Sequence, residues 1–292
     1  MRTNIRLSVI IPCYNAAETI EAQLEAFAEE CWEEPWELLI ADNGSTDDTL
    51  EIVNRHQEHM PHLRIVDGSH RRGQAHARNC GVREAHGDLL AFCDADDVIA
   101  PGWVAAMGRA LINSEFVACR FDVEKLNAPW VRASRNNPQG RGVQKYTNPP
   151  YLNHAAAAGL GIRRSLHEAV GGFDETVPVL DDTDYCWRVQ LSGAELTFVS
   201  DAVIHYRYRS SLHGIYAQAK AYGMSNVLLY KKFRPRGMPR LSWKSGVKGW
   251  FRLATSVPTR MRSKEGRAHW LRQLGWRVGR LHGCIKYRVF AP

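Results

Sequence analysis

Four short apolar runs, each followed by a segment of helical period and each ending in polar residues, constrain this chain more than any other feature. Residues 7–12 (Leu-Ser-Val-Ile-Ile-Pro) precede a stretch at 17–30 in which Ile20, Leu24 and Phe27 share one helical face. Residues 37–42 form the second run, and polar capping types at 45–48 then open a helix that carries Leu50 and Val53. Residues 63–67 and the helical segment 74–85 repeat the unit, as do residues 88–93 and the helix that Pro101 starts, running to about Asn113. Strand–helix repetition of this kind predicts an α/β fold with parallel strands and helices on both faces. In such sheets ligands bind beyond the carboxyl ends of the strands. The polar residues stand at those ends: Tyr14 and Asn15, Asp42 and Asn43, Asp94 and Asp96.

Beyond residues 116–120 the pattern weakens. Residues 132–150 read as a long loop, either solvated or gating a substrate. Helical signals return at 165–170 and 182–192, and a strand signal at 195–199.

Charge divides the chain sharply. Residues 1–205 carry 18 Lys/Arg against 30 Asp/Glu, whereas residues 206–292 carry 20 Lys/Arg against one acid, Glu265. The break predicts a catalytic or binding region over 1–212 and a basic helical extension over 213–292 that meets an anionic surface. Three apolar stripes mark the extension: Ile215, Ala219, Tyr222 and Leu229; Trp243, Val247, Trp250 and Ala254; Trp270, Leu274, Val278, Leu281 and Ile285. Cations lie between them, a pattern suited both to an anionic membrane interface and to packing against protein. Residues 234–239 read as a linker. No nucleic-acid motif accompanies the charge, and nucleic acid is not an expected partner.

No apolar run reaches the roughly 20 residues of a membrane-spanning helix. The first nine residues lack the three parts of a secretory signal. The seven cysteines are odd in number and widely spaced without a CxxC pair. They are expected as reduced thiols in a cytoplasmic protein, peripheral on the inner membrane face if the extension binds lipid.

Two acidic clusters carry the chemistry. Asp94-Ala-Asp-Asp97 follows an apolar strand directly, and three carboxylates so close repel unless a hard divalent cation, Mn²⁺ or Mg²⁺, compensates them. A solvated turn with capping acids is the alternative, most apt for Asp97. The second cluster is Gly171-Gly-Phe-Asp-Glu175 followed by Asp181-Asp182 at a helix start, where the dipole favours negative charge and a carboxylate can accept a proton from an attacking hydroxyl. From composition alone, helix capping by Asp181 or Asp182 with an Asp184–Arg188 pair is the better explanation.

Taken in order, Ser8-Val-Ile-Ile-Pro-Cys-Tyr-Asn15, Ala41-Asp-Asn-Gly-Ser-Thr-Asp47, Ala77-Arg-Asn-Cys-Gly81, Asp94-Ala-Asp-Asp97, Gly171-Gly-Phe-Asp-Glu175 and Asp181-Asp182 resemble the family 2 glycosyltransferases. The resemblance spans about residues 7–205. It implies the GT-A fold and transfer of a sugar, with inversion, from a nucleotide diphosphate sugar to the hydroxyl of a glycan or lipid-linked acceptor, as in polysaccharide or glycolipid synthesis. By position it implies that Pro12, Tyr14, Asn15, Asp42 and Asn43 border the nucleotide base. Asn43 stands where the family often has a second aspartate. Arg78 would reach base or phosphate, and Asp94 would lie near the ribose. Asp96 would hold the metal, with Asp97 a substitute ligand and His205 a third. Asp182, rather than Asp181, would be the catalytic base. Trp187 is expected in the core, and Trp103 either there or against the acceptor. A noncatalytic nucleotide-sugar-binding or scaffold relative and a nucleotidyltransferase are the competing readings.

Overall fold

Strands whose side chains are apolar on both faces must be covered on both faces, which is what helix layers around a parallel sheet provide. The computed structural model describes residues 5–147 and 149–291. In chain order its strands are β1 (Leu7–Cys13), β2 (Trp36–Asp42), β3 (Leu63–Asp67), β4 (Leu89–Phe92), β5 (Val98–Ile99), β6 (Phe116–Asp122), β7 (Leu160–Arg163) and β8 (Thr197–His205). The helices are α1 (Ile20–Ala28), α2 (Thr49–Gln57), α3 (Gln74–Glu84), α4 (Trp103–Asn113), α5 (Pro129–Ala133), α6 (Arg164–Ala169), α7 (Asp181–Leu191), α8 (Leu212–Phe233), α9 (Trp243–Thr255), α10 (Val257–Arg260) and α11 (Lys264–Tyr287).

One sheet holds all eight strands in the order β3-β2-β1-β4-β7-β6-β8-β5. β3, β2, β1 and β4 are mutually parallel, as the repeating unit predicts. The second half departs from that prediction. β7 runs antiparallel to both β4 and β6, and β5 antiparallel to β8. The reason is connectivity: β7 follows a long excursion after β6 instead of a crossover helix, so nothing imposes the parallel direction. β7 and β5 carry no alternation long enough to signal a strand. β8 pairs with β6 through a register shift at Cys119/Arg120 and extends to His205, six residues past the predicted end.

The core lies on both sides of this sheet. Ile20, Leu24 and Phe27 of α1 are fully buried, as are Trp103 and Trp187. Trp103 therefore belongs to the packing and not to an acceptor surface. The seven cysteines are unpaired, five of them buried. Arg188 Nε donates to Asp184 Oδ2 at 2.7 Å, the helical pair expected from spacing.

The chain divides into two compact units. The first runs to Asp122 and adds Pro138–Gln144 and Asn153–Arg207; the second holds Val123–Asn137, Lys145–Leu152 and the chain from Tyr208 onward. The second unit thus takes in two pieces of the region read as loop.

Within the second unit, α11 meets α8 along Gly275, Gly279 and Gly283. A Cβ at Gly279 would stand 2.0 Å from the Lys220 carbonyl oxygen, and one at Gly275 2.5 Å from that of Tyr216. Only hydrogen fits between two backbones this close. The glycine row is therefore the face that meets α8; of the Trp270–Ile285 stripe, Trp270, Leu274 and Val278 are half-buried, while Leu281 is 46% and Ile285 77% exposed. On α9 the apolar stripe likewise faces outward: Trp243, Val247 and Trp250 are 58%, 59% and 37% exposed, the neighbouring Phe251 is 69% exposed, and Leu253 is the buried residue of the helix.

Candidate active site

The acids after β4 converge. Asp94, Asp96 and Asp97 each offer a carboxylate oxygen, and these oxygens lie within 4.8 Å of one another. Asp97 is the buried member. Its Oδ1 accepts the Arg207 backbone N–H at 2.7 Å, and Arg207 Nε donates to the Asp96 carbonyl oxygen at 2.7 Å. Asp97 Oδ2 is buried and receives no hydrogen bond among the described residues. Burial, and then the charges of Asp96 and Asp94, hold the Asp97 carboxyl well above the usual carboxylate range. An orphaned buried oxygen among three mutually repelling carboxylates fits a hard divalent cation, which takes oxygen ligands and neutralises the repulsion.

His205 lies outside this group of mutually close oxygens. Its Nδ1 lies 2.6 Å from Asp122 Oδ2, because β8 sets it in register opposite Asp122 on β6. That contact involves Nδ1 and not Nε2, the nitrogen through which His205 would reach a cation.

The second cluster is built by a backbone turn. Leu180 is left-handed (φ 64°), a conformation that branched and bulky residues seldom adopt, and α7 begins at the next residue. Asp181 and Asp182 thereby occupy the first turn, where the helix dipole favours negative charge. Asp181 is buried, and its Oδ2 accepts from Arg78 Nη1 at 2.9 Å; Arg78 Nη2 donates to Asp94 Oδ1 at 2.8 Å. The buried guanidinium thus bridges the end of β4 and the start of α7. Its two prongs are engaged with carboxylates, a different occupation from the base or phosphate contact that the family resemblance implies. Gln74 Nε2 also reaches Asp94 Oδ1, at 3.2 Å.

Asp182 Oδ1 accepts from the Thr183 backbone N–H at 2.6 Å and from Thr183 Oγ1 at 3.2 Å. Burial, with the adjacent Asp181 charge, raises its carboxyl to about 7, against the opposing pull of Arg78. A carboxylate poised near neutrality and held by one oxygen is suited to accepting a proton.

On the other side of the strand ends, Tyr14 is half exposed and the Arg72 guanidinium lies 4.1 Å from its ring centroid. Pro12 sits in β1 opposite Ala41 of β2. Asn15 takes a left-handed turn (φ 47°), which asparagine tolerates, and its Oδ1 accepts from the Thr46 N–H at 2.8 Å. Asp42 accepts the N–H groups of Gly44 and Ser45. Asn43 Nδ2 donates to the carbonyls of Gly68 (2.6 Å) and Arg71 (2.7 Å), while Oδ1 accepts the Gly73 N–H at 2.8 Å. An ionised aspartate could not make the two donations, so the amide at 43 serves to tie down the β3–α3 connection.

Three residues in this arrangement have no signal in the sequence reading. Arg207 follows His205 without a motif. Gln74 opens α3. Glu175, present in the glycine-bearing motif but given no role there, meets Arg71, His76 and Asn79 at 2.9 Å each.

Residues 8–171, more than half of the chain, match the Glycosyl transferase family 2 profile. The chain belongs to glycosyl transferase family 2. The mixed sheet with its helical layers is the GT-A fold, and the mannosyltransferase PcManGT from Pyrobaculum calidifontis, solved in complex with GDP-Man and Mn²⁺, superposes with a TM-score of 0.66 at 20% identity, covering 98% of this chain and 88% of that one. Among curated relatives, this family 2 member is 28% identical to glycosyltransferase AglE of Haloferax volcanii over 68% of its own length and 65% of AglE. It is 35% identical to the Escherichia coli UDP-Glc:alpha-D-GlcNAc-diphosphoundecaprenol beta-1,3-glucosyltransferase WfaP over 61% of its own length and 67% of WfaP. Of the Escherichia coli glycosyltransferase YibD it matches 36%, at 33% identity. The chain thus spans less than two thirds of several curated relatives that it matches.

Proposed function

We propose that the first unit transfers a sugar from a nucleotide diphosphate sugar to an acceptor hydroxyl with inversion at the anomeric carbon. The observation that carries this reading is the Asp181–Arg78–Asp94 bridge. It joins the helix turn bearing a carboxylate poised near neutrality to the strand end bearing the acid cluster, so that a proton acceptor and a diphosphate site belong to one rigid arrangement.

In this reading Asp182, ionised, takes the proton from the acceptor hydroxyl as the acceptor oxygen attacks the anomeric carbon and the bond to the diphosphate breaks. One displacement inverts the centre, so one base suffices. The two hydrogen bonds from Thr183 fix Asp182 Oδ1, and Oδ2 is the oxygen that accepts the proton. Asp96, with Asp97 and Asp94 beside it, would hold Mn²⁺ or Mg²⁺, and such a cation supplies stabilisation of the charge on the departing diphosphate. Tyr14 and Arg72 offer the base a stacking surface, and Asp42, Asn43 and Asn15 keep the surrounding loops in place. Arg78 is a positioning residue. The acceptor named for WfaP, a sugar on undecaprenol diphosphate, supports a lipid-linked acceptor here.

The product separates this reading from its competitors. With UDP- and GDP-sugars offered in turn, the cognate donor is expected to release nucleoside diphosphate, measured by chromatography. Release of pyrophosphate would instead mark nucleotidyl transfer, and donor binding with no product in transfer or hydrolysis assays a noncatalytic relative.

We assign the second unit to an anionic membrane surface. Exposed Trp243, Val247 and Phe251 on α9 alternate with Lys244, Lys248 and Arg252, the composition of an interfacial helix. No helix among the described residues is long and apolar enough to cross a membrane. The full chain is expected to sediment with vesicles containing anionic lipid, less so as salt rises, and Trp243→Glu with Phe251→Glu should release it. Equal sedimentation of wild type and double variant would contradict this assignment.

A further inference from the structure

We propose that His70, His76 and Cys80 form a binding site for a borderline-soft divalent cation, Zn²⁺ being the best fit, separate from the acid cluster at the end of β4. The side-chain donors of these three residues lie within 4.8 Å of one another. Cys80 Sγ stands 3.2 Å from His76 Nε2, and the His70 and His76 ring centroids are 4.3 Å apart, edge to face. Zinc–sulfur and zinc–nitrogen bonds of about 2.3 and 2.0 Å around a tetrahedral centre place S and N about 3.5 Å apart, close to the spacing found.

The local sequence makes this arrangement. His76 and Cys80 are four residues apart on α3, so both side chains leave the same helical face. His70 comes from the β3–α3 connection, which Asn43 fixes through Gly68, Arg71 and Gly73. His76 and Cys80 are buried while His70 is exposed, so a cation has an entry side and a water can complete the coordination.

The surroundings match those of a metal-bound histidine. Glu175 Oε2 lies 2.9 Å from His76 Nδ1, the carboxylate–imidazole contact that fixes the ring and leaves Nε2 to bind metal. Arg83 Nη2 lies 2.9 Å from Cys80 Sγ and would stabilise a thiolate there. On binding, the Cys80 S–H bond breaks, the sulfur lone pair goes to the cation and the proton goes to solvent. A thiolate and two imidazoles select zinc-like ions, whereas the carboxylates at 94, 96 and 97 select Mn²⁺ or Mg²⁺. The cation would lock the connection carrying Arg72, which covers Tyr14, and so stiffen the base side of the nucleotide pocket.

Co²⁺ is the probe, because a thiolate ligand gives it a near-ultraviolet charge-transfer band that carboxylates do not. The full-length wild-type chain, kept reduced, is expected to show this band with one equivalent of Co²⁺ and to lose it on adding Zn²⁺. Cys80→Ser should abolish the band. His70→Ala, at an exposed loop position that does not threaten folding, should weaken Co²⁺ affinity tenfold or more. Asp96→Asn and Cys31→Ser should leave the band in place. Absence of the band in wild type, its survival in Cys80→Ser, or unchanged affinity in His70→Ala would overturn the proposal.

Discussion

Asp182→Asn is expected to lower turnover by about 10²–10⁴-fold, the usual contribution of a positioned proton acceptor, while donor affinity stays within a few-fold of wild type. The asparagine keeps the size of the side chain and an acceptor oxygen for the Thr183 N–H, but it cannot take a proton from an attacking hydroxyl. The same residue sets an expected pH dependence. Burial beside Asp181 raises the Asp182 carboxyl to about 7, so kcat should rise with pH through that value and level off above it. Stability has the opposite slope. A carboxyl whose folded pKa exceeds its unfolded value binds more protons when folded, so its contribution is present in acid and is lost as pH rises toward about 7. Asp182→Asn removes that loss and should unfold in urea at pH 8 no more easily than wild type. A variant that keeps full turnover, or one whose turnover falls only because the protein unfolds, would refute the assignment.

Arg78→Met carries the largest expected effect on stability. The guanidinium is 2% exposed and joins Asp181, itself largely buried, to Asp94. Removing one member of a buried ionic cluster leaves the others uncompensated, at a cost of about 3–5 kcal/mol. Methionine fills much of the volume, so the loss reports on charge more than on packing. Arg78→Lys should recover part of it, since an ammonium keeps the charge but not the two-pronged geometry that spans both carboxylates. Urea unfolding of the three proteins measures this directly, and equal midpoints would mean that the bridge does not hold β4 to α7.

The parallel half of the sheet was legible because its strands are continuous apolar runs with polar residues at their carboxyl ends, and because the helices between them keep a 3.6-residue period. Asp94 and Asp96 stand out as carboxylates directly after an apolar strand, whereas the Asp181-Asp182 pair, which helix capping would also explain, is singled out by the order of motifs it shares with family 2. What escaped the reading depends on tertiary placement. The role of Arg207 arises only because β8 runs to His205 and turns its next residues toward Asp96 and Asp97. Arg78 is expected at base or phosphate from its motif, and its bridge between Asp94 and Asp181 shows only once Asp181, distant in sequence, is found against it. The Asp122 partner of His205 likewise appears only through strand register, which sets the two residues side by side. The basic extension shows how one pattern can mask another. Its large apolar residues suggested the packing stripe of α11, while the actual contact with α8 runs along Gly275, Gly279 and Gly283, whose four-residue spacing was visible but weaker than the tryptophan and leucine signal.

The central claim is that the acids ending the fourth strand act through a bound divalent cation on a departing diphosphate. Nucleoside diphosphate release by the wild-type chain, followed in excess EDTA and again after Mn²⁺ is restored, tests it most directly. Release is expected to stop in chelator and to return with Mn²⁺; undiminished release throughout would contradict it.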